Sequence, residues 1–252
     1  METHEFLLLA VGFFGVAALY TSAGHAGASG YLALMALTGV APETMRPTAL
    51  LLNVMVASLT VYRFYRADRL SWRGLWPFLL GSAPLAAVGG VLQLPNAGYY
   101  ALVGLVLLLA AGALLWRAWT VQAETPEPSV SVKIPGAILI GAMIGLLSGL
   151  TGTGGGIFLS PAILFLGWAG PRATAGIAAP FILVNSAVAL LAGSLNVQVL
   201  PPELPILSAA ALCGALCGTW LVLKRLSRRG LLTVLAGVEA LASTKLFLLA
   251  FA

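Results

Sequence analysis

Hydroxyls, one histidine and an unusual density of glycine collect at two places in this chain, Ser22-Ala-Gly-His-Ala-Gly-Ala-Ser-Gly30 and Ser148-Gly-Leu-Thr-Gly-Thr-Gly-Gly-Gly156. A helix that resumes after Gly154, Gly155 and Gly156 presents unpaired N–H groups and the positive end of its dipole, which suits a compact oxyanion. Ser148, Thr151 and Thr153 add hydroxyl donors without burying a full positive charge, and Gly152 extends the small-residue surface. In the first run Ser22, Gly27 and Ser29 offer donors of the same kind. His25 adds an imidazole able to touch a ligand or carry a proton near neutral pH. Small residues also serve close helix packing in membranes, but five glycines between Gly149 and Gly156 exceed that need.

Other polar residues interrupt apolar sequence and are candidates for the same site. Asn53 and Asn185 are neutral donors that either join helices or line a pathway. Glu239 lies near the middle of the last apolar segment, where a carboxylate is costly; it couples protons or holds a structural partner, with Lys245 six residues on. Arg46 and Arg172 stand at the starts of corresponding segments and either attract anions or anchor helices. Cys213 and Cys217, four residues apart, share a helix face and read as small buried filler.

The elements that position these groups are membrane helices. Hydrophobic residues make up 60% of the 252, charged ones 8%, and mean hydropathy is +1.00, a balance foreign to a soluble domain of this length. Apolar segments fall at 5–22, 25–38, 44–62, 74–93 and 98–116, then at 135–150, 153–168, 173–195, 202–223 and 230–251. The expected fold is therefore all-α and polytopic, two five-segment repeats with broken or re-entrant helices. Residues 1–117 form the first membrane repeat, 118–134 a cytoplasmic linker with Pro126 and Pro128, and 135–252 the second repeat, inverted. Arg63, Arg66, Arg69 and Arg73, then Arg117 and Lys133, then Lys224, Arg225, Arg228 and Arg229 mark inside loops. Both termini then lie outside. The acidic start, Met-Glu-Thr-His-Glu, is unlike a cleaved leader, so the first segment reads as a retained helix. Trp72, Trp76, Trp116, Trp119 and Trp168 fall near segment ends as an interfacial belt.

Several function classes are disfavoured. The formal charge of +5 is accounted for by the inside loops, so no nucleic-acid partner is expected. Asp68 is the sole aspartate, which removes an aspartyl dyad, and there is neither a His-Glu-x-x-His motif nor a Walker lysine. A serine hydrolase built on Ser22 or Ser148 with His25 lacks an evident orienting acid. No cofactor and no metal are expected; the partners are a small anionic substrate, the bilayer and, by default, a second copy of the chain. A passive anion channel is the nearer alternative to a carrier.

The stretch Gly145-Leu-Leu-Ser-Gly-Leu-Thr-Gly-Thr-Gly-Gly-Gly-Ile-Phe-Leu-Ser-Pro161, followed by Gly167-Trp-Ala and Arg172-Ala-Thr-Ala, resembles the signature of the TauE/SafE family of sulfite and organosulfonate exporters. Gly39-Val-Ala-Pro-Glu-Thr-Met-Arg-Pro-Thr-Ala49 is similar to that family's segment after the first break. The likeness implies a multi-pass plasma-membrane carrier, not an enzyme, for small sulfur-containing anions or related carboxylates and sulfonates. Alternating access around the meeting point of the two breaks is the expected mechanism.

Overall fold

The computed structural model describes residues 3–22, 24–120, 130–194, 200–218 and 228–251, the side chains of residues 3–6, 22, 120, 228, 229 and 231 excepted. Every regular element among them is a helix: α1 (Thr3–Ser22), α2 (Ala28–Leu37), α3 (Pro42–Arg66), α4 (Trp72–Val91), α5 (Asn96–Thr120), α6 (Ile134–Thr151), α7 (Gly156–Phe165), α8 (Pro171–Gly193), α9 (Leu204–Gly218) and α10 (Arg228–Phe251). Six of them, α3, α4, α5, α6, α8 and α10, are long and apolar enough to cross a bilayer. Proline sits in the first turn of α3, α6 and α8, where a missing N–H costs no helical hydrogen bond. Leu139, Leu191, Val234 and Leu248 stand exposed on the outer faces of the bundle. Lipid is the surrounding that suits such faces. The chain is a polytopic all-α membrane protein.

Helices α2 and α7 have ten residues each, about 15 Å of rise, roughly half the hydrocarbon thickness. Each folds back along the helix before it. Gly12 of α1 faces Leu34 of α2, and Gly30 of α2 faces Val16 and Tyr20 of α1. In the second hairpin the Ser131 amide donates to the Trp168 carbonyl at 2.8 Å, so α7 returns to the start of α6. Each short helix is thus one arm of a hairpin and too short to cross a bilayer alone.

Two parallel helix pairs form at the closest spacing. Gly81 and Gly89 of α4 lie against the α6 backbone, while Gly141, Gly145 and Gly149 of α6 lie against the α4 backbone at Phe78, Ser82 and Ala86. Gly214 and Gly218 of α9 meet the α1 backbone at Phe14 and Ala18 in the same way. Small residues let main chains approach where helix association depends on contact and not on expelling water. Two further pairs run antiparallel. Along α3 and α8, Asn53 lies at Ser186 and Arg69, in the turn just past α3, lies at Gly176; in α5 with α10, the Ser243 hydroxyl donates to the Gly104 carbonyl at 2.7 Å.

Two sequence expectations need correction here. Trp168 is buried, its ring 6.0 Å from that of Phe78, and so does not belong to an interfacial belt; Trp72 and Trp119 are exposed as expected. Cys213 is exposed and Cys217 half-buried. Because α9 turns Ala211, Gly214, Ala215 and Gly218 inward, its cysteines fall on the other face.

Candidate functional site

Both small-residue runs break their helices. Left-handed backbone occurs at Gly24 and Gly27 in the first and at Gly152, Gly154 and Gly155 in the second. The main chain there leaves α1 or α6, turns, and re-enters as α2 or α7 with its first-turn amides directed into the bundle. The two breaks meet. Nε2 of His25 lies 3.1 Å from the Gly156 carbonyl and 2.9 Å from the Ser160 hydroxyl. A carbonyl only accepts, so this contact places the ring hydrogen on Nε2, shared between both oxygens.

Around that junction, His25, Gly27, Ser29, Asn53, Thr153 and Gly156 line a central cavity of about 10 Å³, room for about one water molecule. Six of the expected site residues are thus brought together. The Nδ2 group of Asn53 donates to Ser186 Oγ at 3.2 Å, whereas its Oδ1 is buried without a hydrogen-bond partner. Gly154 packs directly behind this pair, between Asn53, Ile182 and Ser186. Gly155 abuts Ile144 and Phe181.

The remaining candidates lie apart from the cavity. Thr151 bonds to Thr153 through their hydroxyls at 3.0 Å and accepts the Tyr99 hydroxyl on its carbonyl at 3.2 Å. Gly152 packs on the backbone of Arg46. Ser148 is fully buried with its hydroxyl unpartnered. Asn185 turns its Nδ2 back to the Phe181 carbonyl of its own helix at 3.0 Å, so it does not pair with Asn53; Ser186, one residue on, takes that place. The side chain of Ser22 and residues Lys224 and Arg225 lie outside the described residues. Glu239 is fully buried and accepts the Tyr20 hydroxyl.

A larger cavity of about 330 Å³ opens at the end of the bundle opposite Arg63, Arg66, Arg69 and Arg73. Glu43, Arg46, Gln93, Asn96 and Tyr99 contribute its polar lining. Arg46 donates to the carbonyls of Gly89, Gly90 and Leu92, the last of these at 2.8 Å, and so caps the C-terminus of α4. These bonds tie the start of α3 to the end of α4. Tyr99 and the Arg46 backbone separate this cavity from the second break.

Sequence reasoning missed Tyr20, Ser160, Ser186 and Tyr99, which complete the hydrogen bonding of the breaks. Ser160 falls within the α7 segment, four residues after Gly156, and that one-turn spacing was the available signal. Replacing His25 with alanine leaves the Gly156 carbonyl and Ser160 without their shared donor. It should lower unfolding stability in detergent by about 1–3 kcal/mol, read as a fall in thermal midpoint.

The sequence matches the family described as Sulfite exporter TauE/SafE over residues 8–246. It is also 36% identical over 246 residues to a probable membrane transporter protein of Sinorhizobium fredii, covering 98% of this chain and 99% of that one. No solved structure matches the chain.

Proposed function

We propose, because this chain belongs to the sulfite exporter TauE/SafE family and is a membrane transporter, that its cargo is a small sulfur-containing anion of the sulfite, sulfonate or sulfoacetate class. It moves this anion across the plasma membrane by alternating access. The meeting of the two breaks at His25 and Gly156 carries the reading. Two short helices there direct their first-turn amides at one spot beside Ser29, Asn53 and Thr153, on a polar surface without lysine or arginine. Such a surface suits an anion that must be released again.

The proposed architecture is a pair of oppositely oriented halves, 1–117 and 135–252, joined by 118–134. The antiparallel pairing of α3 with α8 and of α5 with α10 supports it, since each pair joins the corresponding helices of the two halves. So does the exchange by which α6 packs on α4 while α1 packs on α9. With basic loops in the cytoplasm and both termini outside, the 330 Å³ cavity is an external vestibule that stops at Tyr99 and Arg46. A closed centre beneath an open vestibule favours a gated carrier over a passive pore.

Reconstituted vesicles test this directly. Uptake of sulfite, sulfoacetate, taurine or simple carboxylates is expected to saturate for the sulfur compounds and to be accelerated by the same solute on the far side. Flux that rises linearly with gradient identifies a channel, and movement of carboxylates alone overturns the sulfur-anion assignment.

A further inference from the structure

Among the described residues Glu239 is the sole carboxylate withdrawn wholly from the surface. It lies in the middle of α10, and no cationic group is bonded to it among those residues. Lys245 instead donates to the Leu37 carbonyl at the end of α2, at 2.9 Å. One carboxylate oxygen accepts the Tyr20 hydroxyl; the other, Oε2, has no partner. A lone negative charge so placed is costly unless a proton neutralises it.

Tyr20 also lies 2.9 Å from the Ser29 hydroxyl. Because Tyr20 gives its single hydroxyl hydrogen to Glu239, Ser29 is the donor to Tyr20. The result is a directed chain, Ser29 to Tyr20 to Glu239, whose first member stands in the opening turn of α2 and lines the central cavity. Tyr20 additionally borders a second small cavity with His25, Leu114, Arg117 and Leu235.

We propose that Glu239 is a proton-binding site linked through Tyr20 and Ser29 to the anion site, so that one proton travels with each anion. This rests on the anion reading above and adds the coupling ion. A hydronium in the central cavity gives a proton to Ser29 Oγ, the hydrogen of Ser29 passes to Tyr20, and that of Tyr20 passes to Oε1 of Glu239. Three O–H bonds break on the donors and three form, hydronium leaves as water, and Glu239 alone of the protein groups changes charge. An ionised Glu239 and a bound anion repel across a low dielectric, so protonation strengthens anion binding and, reciprocally, the anion strengthens protonation. The groups facing the site are Tyr20 from α1, Ser29 from α2, Arg117 from α5 beside Tyr20, and His25 in the break.

Calorimetry on the purified full chain with methanesulfonate, which stays ionised at every working pH, tests the linkage when run in buffers of different ionisation heat. The parent is expected to take up close to one proton per ligand, and its affinity should fall up to tenfold per pH unit on the alkaline side. Glu239→Gln should bind with no proton uptake and a flat pH profile, and Tyr20→Phe should lose most of the uptake. A Glu239→Gln protein that keeps the parent's uptake and slope overturns the proposal, as does a parent that binds without taking up protons. Failure of the parent to bind sulfonate at any pH overturns the anion reading instead. Infrared difference spectra then judge Glu239 alone: a protonated-carboxyl band missing from Glu239→Gln sustains the proton site, and no such band overturns it.

Discussion

Gly145→Leu is expected to leave little or no folded protein in the membrane. Gly145 sits on α6 where a Cβ would lie 2.6 Å from the Ser82 Cα and closer still to the Ser82 carbonyl. These are backbone atoms of α4 and cannot rotate away, so the side chain must push the two helices apart. Separation at one point loosens the neighbouring contacts of Gly81, Gly89, Gly141 and Gly149, which depend on the same spacing. Overpacking a close interface costs about 1–3 kcal/mol at a single adaptable site; a rigid, shared stripe should exceed that range and consume much of the margin of a typical domain. Gly112→Leu on α5 is the control, because nothing lies within 4 Å of its Cβ position. The measurement is the monodisperse fraction and thermal midpoint in detergent, where Gly112→Leu should match the parent and Gly145→Leu should aggregate. Equal behaviour of the two variants rules out tight α4–α6 packing.

Why some of this could be read from residues alone, and some not, follows from what each feature depends on. Helix positions were legible because bilayer thickness imposes a length on apolar runs: the segment at 44–62 lies inside α3, Pro42–Arg66. The helix continues past the apolar edge through Arg63 and Arg66 because it ends at a turn, with Asp68 at φ 50°, and polarity does not define that point. The breaks were legible because positive φ nearly requires glycine. Partner choice was not. The glycines at 141, 145 and 149 have the four-residue spacing of a packing face, yet nothing in their spacing selects α4 over other helices. Tyr20 and Glu239 meet across 219 positions, and neither residue's flanking sequence points to the other. Residue type likewise does not tell Asn185 from Asn53: Asn185 turns its amide onto Phe181, and Ser186 makes the contact with Asn53.

Gly154→Ala is the substitution expected to cost most in transport while sparing assembly. Gly154 has φ +72°, where an L side chain is strained by roughly 1–2 kcal/mol. Its Cβ would also press on the Asn53 amide and come within 2.9 Å of Ile182 and Ser186. Asn53 is fully buried on α3, so relief requires a shift of the break itself. That shift displaces the amides proposed to hold the anion. A distortion worth about 3 kcal/mol in the bound state corresponds to roughly a hundredfold loss of uptake at limiting solute. Gly39→Ala separates strain from site geometry: φ there is +76°, but nothing lies within 4 Å, and the position is past the end of α2. It should lose stability by a similar amount and still transport. If Gly154→Ala transports as well as Gly39→Ala, the backbone of the second break is not where the solute is held.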